Sequence, residues 1–328
     1  MIKTPICIIT ANNQPLNALI SSRIISVTVT DNRANEADEL SIVLDDSDGA
    51  LELPKRGVKL NCKMGYLGED IHDKGDFVVD ETEWSGTPDL ITVKASSANF
   101  KSKIKEAKSK SYHRKKFGEI ASEVAKNHEL TLVMTADLKA INLAHVDQTN
   151  ESDLNLLQRL AKQNGAEMAV KKDRLLIFKA GSAKTASGKN LPTITLTRND
   201  GDQFRYSEQD RESDHTGVSA SYQDTSKAKR EKAVAGEKGK VKHLKGTFAN
   251  KEEAARASKA KMAEIKRQMA KFSITTAYGI PEMSTESPVK LNGFKAEVDK
   301  LKWIVEKATH SYAKSGGLTT QLELEAGI

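Results

Sequence analysis

Apolar and polar residues alternate with period two through much of the first hundred residues. Arg23-Ile24-Ile25-Ser26-Val27-Thr28-Val29-Thr30 is β-branched and alternating. Glu39 to Leu44, Val58 to Met64, Gly75 to Asp80 and Asp89 to Lys94 share the pattern. Such runs predict half-buried strands. Turn chemistry separates them at Asp45-Asp46-Ser47-Asp48-Gly49, Pro54-Lys55-Arg56-Gly57, Gly65-Tyr66-Leu67-Gly68 and Ser85-Gly86-Thr87-Pro88. Short strands at this spacing suit a barrel or sandwich.

From about 110 to 180 the period changes to that of a helix. Phe117, Ile120, Ala121 and Val124 fall on one helical face, and Leu154, Leu157, Leu160 and Ala161 form a second stripe. Asn150, Glu151, Ser152 and Asp153 supply the capping residues and early acids that open that second helix, and Gly165 after Asn164 stops it. Met168-Ala169-Val170 and Arg174 to Phe178 read as a hairpin around Lys172-Asp173. Strands return at Thr193 to Leu196, Gly217 to Tyr222, Val241 to Leu244 and Phe272 to Thr276. One long helix interrupts them. Asn250 caps it, Glu252 and Glu253 lie in its first turn, and Lys266, Arg267 and Lys271 crowd its end. Its apolar stripe is Ala254, Ala257, Met262, Ile265 and Met269. Trp303, Val305 and Lys307 then alternate with Ile304, Glu306 and Ala308, and Ser315-Gly316-Gly317 turns the chain into Leu318 to Leu324.

The expected class is therefore α+β and mainly β. Two β-barrel-like domains, 1–100 and 181–328, flank a small α+β domain at 101–180. The second carries a basic loop at 225–245 and a helix at 250–271. A length of 328 residues is too much for one ordinary core.

Composition narrows the function. Charged residues make up 29% and hydrophobic residues 38%, as in a globular protein with ample polar surface. No stretch approaches the roughly 20 apolar residues of a membrane helix. Met1 to Ile6 lacks a signal-peptide core, so folding in a cytoplasm is expected. Cys7 and Cys62 sit in apolar, strand-like surroundings and are expected to be buried reduced thiols. The net charge of +6 is mild, but eight basic residues crowd Lys227 to Lys245. With few core-forming residues and no aromatics, that run reads as a mobile solvated loop. A nucleic-acid-binding role for it is the rival reading, one that would show steep salt dependence.

No catalytic constellation stands out. Asp46-Ser47-Asp48-Gly49 looks like the middle of a calcium loop, but Leu44 and Lys55 occupy its first and twelfth ligand positions. A tight acidic turn is the better reading. The seven histidines, His72, His113, His128, His145, His215, His243 and His310, have no metal-binding spacing. Glu81-Thr82-Glu83 and Asp200-Gly201-Asp202 pair carboxylates in the manner of solvated strand ends. No catalytic, cofactor or metal residues are expected.

Four stretches together resemble the late control protein D family of phage baseplate hubs. The first holds Asp45, Asp46 and Gly49, then Pro54 and Gly57. The second runs from Tyr112-His113 to Ile120-Ala121. The third is Gln148 to Ala161, with Glu151, Ser152, Asp153, Leu157, Leu160 and Ala161, closed by Gly165; it is also similar to a helix of type VI secretion spike proteins. The fourth is Trp303 to Leu324, including His310. The resemblance implies a structural homotrimer in the tail baseplate, of a phage or a tailocin. Its six barrels would adapt a sixfold tail tube to a threefold spike around a channel wide enough for DNA passage. The implied partners are tail tube and baseplate proteins and, because the chain stops after the last hub-like strand, a separate spike protein. Neither a membrane anchor, nor a cofactor, nor specific nucleic-acid binding is implied. A hub that also degrades cell wall is a further alternative.

Overall fold

The computed structural model describes residues 3–33, 36–97, 102–171, 173–208, 215–224, 226–237 and 239–327. The N-terminal part comprises β1 (Pro5–Ala11), β2 (Gln14–Pro15), a short helix α1 (Ala18–Ser22), β3 (Ile24–Asn32), β4 (Glu39–Asp45), β5 (Lys59–Tyr66), β6 (Ile71–Ser85) and β7 (Leu90–Ser96). All pair antiparallel in the order β3-β4-β7-β6-β5-β1-β2. One parity of each strand turns inward: Val27 and Val29, Leu40 and Ile42, Leu60, Cys62 and Met64, Ile91 and Val93.

The middle part comprises β8 (Ala107–Lys116), α2 (Phe117–Asn127), β9 (Thr131–Met134), α3 (Ala136–Lys139), β10 (Asn142–Ser152), α4 (Asp153–Gln163), β11 (Ala166–Lys171) and β12 (Arg174–Lys179). Both predicted helical stripes are buried against each other and against the β9-β12-β11 sheet. Ser152 caps α4 by accepting from the Asn155 amide at 3.2 Å. Gly165 has a φ of +68°, the left-handed stop that the sequence predicts. Lys172, in the predicted hairpin turn, lies outside the described residues.

The C-terminal part comprises β13 (Ile194–Thr197), β14 (Gly201–Glu208), β15 (Gly217–Asp224), β16 (Lys229–Gly236), β17 (Val241–Phe248), α5 (Lys251–Gln268), β18 (Ala270–Thr276), β19 (Pro288–Asn292), α6 (Ala296–Asp299), β20 (Trp303–Ala313) and β21 (Gly317–Ala326). Phe272, Ile274, Leu291, Trp303, Val305, Leu322 and Leu324 form its core.

The mainly β character stands, with 53% strand and 19% helix. Yet no sheet closes into a barrel among the described residues. β3 gives its outer edge to β20, over Asn32↔Lys307 to Ser26↔Ala313. The sheet therefore runs on through β20, β21, β18 and β14 into the C-terminal part, and thirteen strands share one sheet. The C-terminal hairpin serves two cores. Leu318 and Tyr312 pack into the first, whereas Trp303, Leu322 and Leu324 pack into the second.

Four expectations need correction. The basic segment is not a loop: β16 and β17 flank β15 in a three-stranded sheet under α5. Its apolar content is small but well placed, with Ala233 buried in one cluster with Ala220, Tyr222 and Ala254, while Lys229, Lys232, Lys240 and Lys245 are exposed; Thr225 and Lys238 lie outside the described residues. The α5 stripe is also shifted. Ala254, Ala257 and Ser258 are buried, Met262 and Ile265 are half-buried, and Met269 is exposed, because small residues allow the close approach to β15 and β16. Finally, a bulge at Val305/Lys307 interrupts the alternation in β20, so Trp303, Ile304 and Val305 are all buried, and Ala308 and His310 then face inward. Cys62 is buried, but Cys7 is only half-buried. Hydrogen bonding with Cys7, together with burial, pushes the Cys62 thiol well up.

Candidate functional site

Among the described residues, buried charge gathers where the N-terminal, middle and C-terminal parts meet. β3 ends there with Asp31 and Asn32, and Arg33 follows. Asp31 occupies the same inward parity as Val27 and Val29, so a carboxylate stands where the pattern calls for a core residue. Lys171 at the end of β11 meets it, with Nζ 2.7 Å from Asp31 Oδ1 and 2.9 Å from Asp38 Oδ2. The Thr285 amide donates to Asp31 Oδ2 at 3.1 Å, and the Asn32 amide to Asp38 Oδ1 at 3.1 Å. Burial opposes ionisation of Asp31, but the Lys171 charge prevails and holds its carboxyl below the usual range. Asp38, with burial and the neighbouring Asp31 against it, is pushed up to about 6. Lys171 loses some basicity to burial but is raised to about 12 by the two aspartates.

A second cluster centres on Arg33. Its Nη1 lies 2.5 Å from Glu325 Oε1, its Nη2 2.7 Å from Glu286 Oε1, and its Nε 3.5 Å from Glu167 Oε2. The Glu286 and Glu167 contacts lie off the hydrogen-bonding direction, so they act through charge. Arg267 from α5 adds a contact of 3.0 Å to Glu325, and the Gly181 amide donates to Glu286 Oε2 at 2.9 Å. Two guanidiniums thus face three carboxylates, all with little exposure. Burial and the surplus negative charge have a clear result: Glu167 is pushed up to about 7, and Glu286 is raised as well. Arg33 is held protonated against burial by its three carboxylates.

A third group joins β6 to the C-terminal hairpin. Lys74 Nζ donates to the Pro281 and Met283 carbonyls at 3.0 and 3.1 Å and lies 2.9 Å from His310 Nε2. His310 Nε2 also lies 3.2 Å from the Met283 carbonyl, and its Nδ1 lies 2.9 Å from Thr320 Oγ1. Burial first, and Lys74 second, lower His310 to about 3. Burial lowers Lys74 too. Together these groups form an ionic joint bordering a cleft of about 780 Å³. The residues are charged and buried, with cations set among carboxylates from different elements, an arrangement that ties those elements to one another. Among the described residues, no group of three or more His, Cys, Asp and Glu side chains converges as a metal cage would.

Comparison with known proteins gives this joint its context. The family model described as the phage tail baseplate hub (GPD) matches residues 93–316. A probable baseplate hub protein of Escherichia phage 186 is 40% identical, over 99% of this chain and 93% of its own. The chain belongs to the phage tail baseplate hub family. A probable baseplate hub protein of Escherichia phage P2 is 36% identical over 99% of the hub chain and 94% of its own. A solved tail protein from Neisseria meningitidis MC58 has a similar fold, with a TM-score of 0.73 at 11% identity, over 98% of this chain and 96% of that one. The role is that of a structural baseplate hub.

The stretches singled out in the sequence fall into four places in this hub, of which Tyr112 to Ala121 spans the end of β8 and the start of α2, and only one of the four reaches the joint. Asp45, Asp46, Gly49, Pro54 and Gly57 shape the connection from β4 to β5. Asp45 accepts from the Ser47 amide at 3.0 Å and Asp46 from the Leu51 amide at 3.0 Å, while Asp48 pairs with Arg23 at 2.5 Å. The turn thus consumes its own carboxylates. The Pro54 carbonyl accepts from Thr82, and the Gly57 amide donates to Val79. Glu151 and Ser152 end β10, Asp153, Leu157, Leu160 and Ala161 lie in α4, and Gly165 follows the end of that helix. There Asp153 Oδ2 lies 2.8 Å from His128 Nε2 and 2.7 Å from Lys108 Nζ, and Glu151 pairs with Arg159 at 2.7 Å. Trp303 is fully buried, its Nε1 donating to the Val298 carbonyl at 3.0 Å. His310 alone belongs to the joint. Sequence reasoning missed Asp31, Arg33, Asp38, Lys74, Glu167, Lys171, Arg267, Glu286 and Glu325; the legible signal was Asp31 on core parity.

Proposed function

We propose that three copies of this hub close a ring that seats the tail tube on one side and the spike on the other, with a purely structural role in the virion baseplate. The copies fold in the host cytoplasm before assembly. Two β units per chain give six around the ring, which suits a sixfold tube, while the three chains suit a threefold spike. The observation that carries this reading is the thirteen-stranded sheet running unbroken through both β units. Backbone ladders and the ionic joint hold the two units in one fixed relation, which a ring of quasi-equivalent units requires. The domain division at about 100 and 180 and the structural roles of the motif residues belong to the same proposal. Light scattering combined with particle images tests it: the expected result is a trimer mass and a ring with a central opening. A stable monomer at micromolar concentration that forms no ring with tube or spike proteins would overturn it.

A further inference from the structure

On the solvent face of the β8–β10 sheet, His113 and His145 stand directly opposite each other. Their Nδ1 atoms are 3.0 Å apart, their ring centroids 4.6 Å apart, and their planes inclined by 33°. Tyr112 and Val146, the next pair along the ladder, point the other way and are buried in the middle core. The histidines therefore stand on a pleat anchored from below. His145 is oriented from behind, with its Nε2 2.8 Å from Asp147 Oδ2. Ser111, opposite Asp147 across the ladder, donates to Asp147 Oδ1 at 2.7 Å. An ionised Asp147 takes the Nε2 proton as an acceptor, which leaves His145 Nδ1 with a bare lone pair aimed at His113. One proton then serves two facing ring nitrogens.

A divalent cation can take the place of that proton. With metal–nitrogen bonds of about 2.0–2.1 Å, a right-angled pair of ligands spans roughly 2.9 Å and a tetrahedral pair roughly 3.4 Å. The 3.0 Å gap matches the right-angled spacing, and a rotation of both rings off the line between the two nitrogens turns their lone pairs onto a shared ion. We propose that His113 and His145 form an open two-histidine site for a divalent transition-metal ion such as Ni(II), Cu(II) or Zn(II). Water completes the coordination, and Asp147 is the carboxylate behind His145. The carboxylate–histidine–metal order is the arrangement that fixes ring orientation and raises ligand basicity. His145 and Asp147 retain 42% and 52% side-chain exposure, so both the ion and its waters have access. This site is independent of the ring proposed above.

The test is calorimetric titration of the full-length, untagged chain with Ni(II) and with Zn(II). The expected result is one equivalent bound per chain, lost in His113→Asn and in His145→Asn and retained in His72→Asn. Asp147→Asn should weaken binding by roughly tenfold to a hundredfold. With Cu(II), the paramagnetic resonance spectrum should show two imidazole nitrogens. Circular dichroism of each variant should match the parent, because these side chains are exposed. No saturable binding, or binding that survives the double substitution His113→Asn/His145→Asn, would overturn the proposal.

Discussion

Arg33→Met is the sharpest test of the ionic joint. Met keeps most of the volume and removes the guanidinium. Glu286 and Glu325, at 4% and 3% side-chain exposure, then share only Arg267, and Glu167 loses its nearest cation. Breaking a buried pair by removing one partner costs about 3–5 kcal/mol, because the charge left behind is uncompensated. The loss should also depend on pH in a definite direction. Glu167 stands at about 7 and Glu286 is raised even with Arg33 present, and removing the cation raises both further. A carboxyl with a raised folded-state value contributes stability that is fully present below its unfolded value, near 4.5, and is lost as pH rises through the folded value. The deficit of the variant should therefore be largest at pH 8 and smaller at pH 5, where the stranded carboxyls take up protons. Chemical denaturation at both pH values measures it, with Arg33→Met/Glu286→Gln as the partner that should recover part of the loss. A deficit under about 1 kcal/mol at pH 8, or one that grows on acidification, would refute the reasoning.

Other outcomes follow from the same structure. Leu157→Ala, at a fully buried position of α4, should cost about 2–5 kcal/mol; a change under about 0.5 kcal/mol would place that face in solvent. His310 is depressed from 6.5 to about 3, so its contribution is intact above pH 6.5 and lost as pH falls toward 3. His310→Gln should accordingly flatten the acid side of a stability–pH profile relative to the parent. Glu167→Gln should do the opposite, removing the gain that the parent makes as pH falls from 7 to 4.5. Hydrogen exchange should be slow at Val218, Ala220 and Tyr222 in β15, the centre of its sheet; fast exchange there would mean that the basic segment is mobile after all.

What could be read from the sequence was whatever the chain specifies locally. Asn250, Glu252 and Glu253 mark the start of α5 and Lys266 and Arg267 its end, and the helix spans Lys251–Gln268. The stripe at Leu154, Leu157 and Leu160 needs only a 3.6-residue period to be seen, and it is buried as expected. By contrast, β16 reads Lys-Arg-Glu-Lys-Ala-Val-Ala-Gly, which carries almost no hydrophobic signal. It becomes a strand within the small cluster that Ala233 forms with Ala220, Tyr222 and Ala254 of α5, where small side chains give little signal in sequence. The joint was hidden for a different reason. Arg33 and Glu325 are 292 positions apart, and each alone is an ordinary surface charge. His310 was picked out within a family-like stretch, but its role depends on Lys74, 236 residues away.

The way the sheet is shared places two sets of demands on the C-terminal hairpin. Strands β20 and β21 satisfy constraints that come from two cores. Toward one end they must present Trp303, Leu322 and Leu324 to the second core, and toward the other Tyr312 and Leu318 to the first. Between these ends, β20 must keep its register with β3, or every inward side chain turns outward. His310 and Thr320 lie within this middle stretch as a paired row, facing Lys74 of β6. A one-residue slip would take the imidazole away from Lys74 and leave a buried ammonium with fewer acceptors, an expensive state. The buried polar row therefore specifies register, while the apolar ends supply adhesion. A hub built from two β units on one continuous sheet needs the ladder to settle in a single alignment, and this polar row adds to the inward apolar residues in selecting it.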